Sequence, residues 1–152
     1  MSKLSAIIVN YNAGLILNEA VNLLLRSKSV AQVIVVDNNS TDHSVDEIER
    51  LDDSQSQLIC IRNNENLGFA KACNIGIAAA GESDYLLFLN PDCVINNNAL
   101  EMMLACMKSF PRAGVTGPLL LNTNGSEQAG GRRILLPLVI MARKFRAKHT
   151  VS

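Results

Sequence analysis

Two aspartates stand where strand-like runs stop. Asp37 closes Gln32-Val33-Ile34-Val35-Val36, and Asp92 lies just past Tyr85-Leu86-Leu87-Phe88-Leu89, in Asn90-Pro91-Asp92. An aspartate ending a strand can accept a hydrogen bond from a base N–H or from ribose hydroxyls. A second can hold a divalent cation that bridges phosphates. Taken together, the two carboxylates point to a nucleoside diphosphate. Other chemistries lack their residues. No G-x-G-x-x-G follows the first apolar run, where the chain reads Val9-Asn10-Tyr11-Asn12-Ala13-Gly14, and no G-x-x-x-x-G-K-[ST] occurs, which disfavours a dinucleotide dehydrogenase and a P-loop ATPase. There is no G-x-S-x-G, and neither His43 nor His149 is placed to serve a serine or cysteine nucleophile.

The elements that must carry these residues follow from periodicity. Leu4 to Val9 is a short apolar run rich in β-branched residues, and Gly14 to Arg26 repeats apolar residues at helical spacing. The alternation continues with a strand over 32–37, a helix over 44–51 capped by Ser40 or Thr41, a strand over 57–62 and an alanine-rich helix over 68–80 closed by Gly81. A strand over 85–89, a helix over 99–110 and a fifth strand within 113–121, interrupted by Gly117-Pro118, complete it. Near-continuous apolar strands separated by helices predict an α/β layered fold, a mostly parallel sheet with helices on both faces. In such sheets ligands bind outside the carboxyl ends of the strands. The segments there, Asn10-Tyr11, Asp37 to Ser40, Asn63 to Asn66 and Asn90 to Asp92, are polar and can share one rim. Most of the 16 asparagines are explained by turn chemistry.

At 152 residues, 48% hydrophobic and 18% charged, the chain has the composition of one globular domain. Its zero net charge hides a division. Residues 1–127 hold eight basic and fourteen acidic side chains, whereas 128–152 hold six basic and none acidic. Cys60, Cys73, Cys93 and Cys106 are too widely spaced for a zinc site and read as small buried hydrophobes in a reducing compartment. The N-terminus lacks the pattern of a signal peptide. The longest apolar run, Ile134 to Ala142, contains Pro137 and is too short to span a bilayer. The expected location is the cytoplasm.

Several motifs stand in order along the chain: Ser5-Ala6-Ile7-Ile8-Val9-Asn10-Tyr11-Asn12; Val35-Val36-Asp37-Asn38-Asn39-Ser40-Thr41-Asp42; Asn66-Leu67-Gly68-Phe69-Ala70 with Asn74 and Gly76; and Leu89-Asn90-Pro91-Asp92. Asn124-Gly125 and Gly130-Gly131-Arg132-Arg133 continue them. This set resembles the N-terminal half of family 2 glycosyltransferases with the GT-A fold, the Rossmann-like fold of nucleotide-diphospho-sugar transferases, and particularly their rhamnosyltransferase-like branch. The resemblance implies sugar transfer from a UDP- or dTDP-linked donor to an acceptor hydroxyl in cell-surface polysaccharide synthesis, with inversion at the anomeric carbon. It implies that Val9, Asn10 and Tyr11 frame the nucleobase, Tyr11 by stacking, while Asp37, with Asn38 beside it, accepts the N3–H of uracil or thymine. Gly68 lets backbone amides approach the diphosphate, and Lys71 reaches a phosphate. Asn90-Pro91-Asp92 matches the family's D-x-D motif with an amide in place of the first carboxylate. Asp92 is then the metal ligand, for Mg²⁺ or Mn²⁺, and Asn90 offers a carbonyl oxygen or a bond to the sugar.

The family's catalytic base belongs to an acidic segment well past the D-x-D. Here only Glu101 and Glu127 follow Asp92, neither in that context. The expectation is a truncated chain: residues 1–127 as the nucleotide-sugar-binding core and 128–152 as the start of a missing acceptor-side half, inactive by itself. The alternative is a non-catalytic nucleotide-sugar-binding remnant. A sugar nucleotidyltransferase would need a glycine-rich basic loop after the first strand, and none is present. The basic and apolar stretch 132–148 reads either as a core element lacking its partners or as a peripheral contact with the inner face of the plasma membrane, beside a lipid-linked glycan acceptor. Nucleic acid is not an expected partner.

Overall fold

The computed structural model describes residues 3–51, 57–122 and 124–127. Four strands and four helices alternate: β1 (Leu4–Asn10), α1 (Ile16–Leu25), β2 (Gln32–Asp37), α2 (Ser44–Glu49), β3 (Leu58–Arg62), α3 (Phe69–Ala79), β4 (Tyr85–Leu89) and α4 (Asn97–Ser109). The strands form one parallel sheet in the order β3-β2-β1-β4. By contacts the chain divides into two compact units, Met1–Gly114 and Val115–Ser152, and all eight elements belong to the first.

The central strands are apolar along their length because both of their faces are covered. On one face Ala6, Ile8, Val33 and Val35 pack with Leu17, Val21 and Leu24 of α1, Val45 and Ile48 of α2, and Leu100 of α4. On the other, Ile7, Ile34 and Val36 meet Ala72 of α3 and Ala80 just beyond it. Here α3 comes unusually close to the sheet. A Cβ on Gly76 would lie 2.5 Å from Ile7 Cγ2, so this motif glycine serves packing. The edge strand β4 is covered less: Leu86 and Phe88, on the face of Ile7, remain 38% and 46% exposed.

Differences from the expected elements have local causes. The fifth strand is absent among the described residues. Residues 113–121 carry Gly117 and Pro118, and proline has no N–H to give a ladder, so only an isolated antiparallel bridge, Leu121 to Glu127, forms. Neither Ser40 nor Thr41 caps α2. Ser40 is drawn back to Asp37, and the side chain of Asp42 instead accepts from Ser44 N at 3.0 Å. Asparagine does the turn work expected of it, with Asn12 and Asn39 at φ 53° and 65° and Asn96 capping α4 through Ala99 N. Gly81 takes the left-handed conformation past α3. All four cysteines are free; Cys73 is buried and the other three are partly so. No helix among the described residues is long and apolar enough to cross a membrane. The basic stretch 132–148, Arg132-Arg133 included, lies outside the described residues.

Candidate donor-nucleotide site

Strand register aligns the rim. Asn10 and Asp37 are the last partners of β1 and β2. Two further bonds, Asn38 N to Asn10 O and Asn63 N to Asp37 O, both 2.8 Å, carry the ladder past the strand ends. From β1 the chain steps outward through β2 to β3, then returns across the sheet to β4 on the other side of β1. The reversal makes the β1/β4 boundary the topological switch point, where α/β sheets open a crevice beyond their carboxyl ends. Tyr11 follows β1 on one side of it, and Asn90-Pro91-Asp92 follows β4 on the other.

Asp37 is only 2% exposed and is held by donors. Its Oδ1 accepts from Asn10 Nδ2 at 2.8 Å and Ser40 Oγ at 2.6 Å, and its Oδ2 accepts from Ser40 N at 3.1 Å. A carboxylate has about four acceptor positions, so one on Oδ2 is free of donors among the described residues. Asn10 is wholly buried and also donates to Ser40 Oγ and Ser44 Oγ. Around this pair the loops after β1 and β2 are stitched together: Asn12 N to Ser40 Oγ, Thr41 N to Asn12 Oδ1, and Gly14 N to Asp42 Oδ2, at 2.8–2.9 Å. Burial raises the Asp42 carboxyl, but the combined bonds from Ser44 Oγ, Ser44 N and Gly14 N outweigh it and hold the group below the usual carboxylate range. Asn38, also buried, accepts from Asn63 Nδ2 at 2.9 Å and so ties in the loop after β3.

The remaining residues divide by exposure. Val9 is partly buried against the α3 face, with its side chain in the packing beneath the rim. Tyr11 is 54% exposed. Gly68 precedes α3 at φ 79°, ψ 164°, a conformation essentially reserved for glycine. Open space lies where a Cβ would stand, and Asn66 Oδ1 holds Gly68 N at 2.9 Å. Lys71, in the first turn of α3, is exposed and makes no ion pair among the described residues. Asn90 and Asp92 are exposed, in a turn closed by Cys93 N to Asn90 O at 3.1 Å. Burial raises the Cys93 thiol, and the neighbouring Asp92 charge raises it further, so Cys93 supplies no thiolate at neutral pH.

Among the described residues no three His, Cys, Asp or Glu side chains converge on a metal position. The donor set near Asp92 is one carboxylate and one amide oxygen, both hard. It fits Mg²⁺ or Mn²⁺ completed by phosphate and water, and it does not fit a closed zinc site.

Residues 5–150 match the sequence signature described as glycosyl transferase family 2. The chain belongs to glycosyltransferase family 2. A relative from Haemophilus influenzae, an uncharacterized glycosyltransferase, is 34% identical over 108 residues, covering 70% of this chain and 43% of its own. The N-acetylglucosaminyl-diphospho-decaprenol L-rhamnosyltransferase of Mycobacterium tuberculosis is 27% identical, covering 86% of this chain and 45% of its own. The fold is GT-A. The structure of S. aureus TarS 1-349 with UDP-GlcNAc superposes with a TM-score of 0.62 at 26% identity, covering 72% of this chain and 32% of that one. GalNAc-T7 with UDP, GalNAc and Mn²⁺ gives 0.61 at 23% identity, covering 70% and 21%. This family 2 chain spans less than half the length of the curated relatives it matches.

Sequence reasoning on this glycosyltransferase chain overlooked Asn12, Asp42 and Ser44 as parts of the rim, and it placed Ser40 there without its bonds to Asp37. The available signal was register: a polar residue ending β1 opposite one ending β2, each followed by small hydrogen-bonding residues, predicts cross-loop bonds.

Proposed function

We propose that this chain supplies the donor half of a metal-dependent, inverting glycosyltransferase that takes a sugar from a UDP- or dTDP-linked donor. The observation that carries the reading is the placement of Asp37 and Asp92 at the ends of β2 and β4, flanking Asn10-Tyr11 at the switch point. Two strand spacings, about 10 Å, separate β2 from β4, a span that a nucleoside diphosphate can bridge.

In this reading the free acceptor position on Asp37 Oδ2 takes the N3–H of uracil or thymine, and the exposed Tyr11 ring stacks on the base. Val9, Asn10 and Asn38 support that contact from beneath. The first amides of α3 lack partners within the helix and face the diphosphate across Gly68, while Lys71 adds a positive charge. Asp92, with Asn90 beside it, would hold Mg²⁺ or Mn²⁺, and the bound cation would supply neutralisation of the leaving group's growing charge. An acceptor hydroxyl then attacks the anomeric carbon in line as its bond to the diphosphate oxygen breaks. The hydroxyl proton passes to a carboxylate base in the acceptor-side half, because Glu101 on α4 and Glu127 have no acidic motif around them. The acceptor is a glycan or lipid-linked glycan, a reading supported by the decaprenol-linked substrate named for the mycobacterial relative. Segment 132–148 would hold the protein peripherally at the inner membrane face.

Calorimetric titration of UDP, dTDP and CDP, with and without Mn²⁺, tests this. UDP or dTDP should bind, Asp37→Ala should abolish binding, and Glu101→Gln should leave it unchanged. Absence of binding by either nucleotide under both conditions would remove the donor-site reading.

A further inference from the structure

We infer that Asn10 is a positioning residue that makes the site selective for bases carrying a ring N–H, by surrounding Asp37 with donors so that it meets a base only as an acceptor. This rests on the reading of Asp37 as the base-recognising carboxylate. Asn10 Nδ2 lies 2.8 Å from Asp37 Oδ1, 3.1 Å from Ser40 Oγ and 2.9 Å from Ser44 Oγ. An amide nitrogen has two hydrogens, so three acceptors surround two donors. Both serine protons are committed elsewhere, that of Ser40 to Asp37 Oδ1 at 2.6 Å and that of Ser44 to Asp42 Oδ1 at 2.7 Å. Both hydroxyl oxygens therefore meet Asn10 as acceptors. Turning the amide over would set its own oxygen against three others.

The orientation this enforces leaves Asn10 Oδ1 buried with no partner among the described residues. A buried unpaired acceptor is unfavourable, and the fold accepts it while keeping the N–H on Asp37. Asp37 consequently meets donors only, from Asn10, Ser40 Oγ and Ser40 N. What Asp37 then offers a base is one acceptor and no donor. Uracil and thymine answer with N3–H; cytosine presents a lone pair at that position and is opposed.

The test uses the whole chain and reads a ratio of affinities. UDP should bind the unaltered chain at least about tenfold more tightly than CDP. Asn10→Asp is nearly isosteric but sets a second carboxylate against Asp37, and such a pair retains a proton. UDP affinity should then become pH-dependent between pH 5 and 8, with the UDP-over-CDP ratio falling severalfold. Asn10→Leu, which removes the donor without adding charge, should lower the ratio as well. Should the Asn10 variants fail to fold, the side-chain amide resonances of Asn10 in the unaltered chain should shift on adding UDP and stay in place on adding CDP. Folded Asn10 variants that keep both the ratio and a flat pH profile, or an amide signal indifferent to UDP, would overturn the inference alone. No binding of any nucleotide by the unaltered chain would overturn it together with the donor-site reading.

Discussion

Replacing Gly76 by alanine adds one methyl group where α3 crosses the sheet, and the structure sets the sign of its effect. The new Cβ would lie 2.5 Å from Ile7 Cγ2 and 3.4 Å from both Ile7 Cγ1 and Val36 Cγ2, against an ordinary contact of 3.4–4 Å. The close neighbour cannot swing aside. Ile7 is 1% exposed and bonded into the sheet between Ile34 and Phe88, and Cγ2 branches directly from a stiff Cβ. Overpacking of this kind costs about 1–3 kcal/mol. Alanine returns up to about 1 kcal/mol in helix propensity over glycine. The net expectation is a loss of about 1–2 kcal/mol, or a fall in Tm of several degrees for a chain of this size. Urea unfolding followed by circular dichroism should show a lower midpoint at unchanged slope. Because the clash lifts α3, which carries Gly68 and Lys71 at its rim end, UDP affinity should fall as well. Gly114→Ala, with nothing within 4 Å of the added Cβ, should change stability by less than about 0.5 kcal/mol. A Gly76→Ala chain as stable as its parent, or more so, would refute the close approach of α3 to β1.

Gly68→Ala meets no clash but places a side chain at φ 79°, so it should cost about 1–3 kcal/mol by urea unfolding and weaken UDP binding. Mn²⁺ alone should bind feebly in calorimetry and tightly only with UDP present, and Asp92→Asn should abolish that increment; strong binding of Mn²⁺ without nucleotide would contradict a one-carboxylate site. The carboxyls of Asp42, Asp46 and Glu49 are held below their ordinary range, the last two chiefly by hydrogen bonds from Arg62. The folded state therefore takes up protons less readily than the unfolded one, so the urea midpoint should be flat near neutrality and fall as pH drops below about 4. High salt should weaken the exposed Arg62 share of that fall and spare the Asp42 share, whose donors are uncharged. Burial pushes the Cys60 thiol up to about 11, so alkylation at pH 7.5 followed by peptide mass mapping should leave Cys60 unmodified in the folded chain.

Strands and helices were legible because their signal is local. The β-branched runs at 4–9 and 32–37 and the spacing of Leu17, Val21 and Leu24 already encode burial on sheet and helix. The rim was legible at one remove, since parallel strands place the residues after them on one edge. Failures came where a residue had two plausible partners. Ser40 had the composition of a helix cap, and the chain brought the Asp37 carboxylate to it first. Residues 113–121 had strand-like residues and a proline that withheld the ladder bond.

By itself the sequence determined the family, the alternation of strand and helix, and which carboxylates stand at strand ends, because all three depend on residue types in a fixed order. Tertiary structure alone decided what those residues face. Asn10 and Asp37 are separated by 26 intervening residues and become neighbours only through the β1–β2 register. That register buries Asn10 and holds its amide on the carboxylate. Gly76, too, owes its role to a helix crossing a strand that lies far away in the chain. Hydrogen bonds and steric contacts depend on distances in space, which the order of residues constrains only after the sheet has formed.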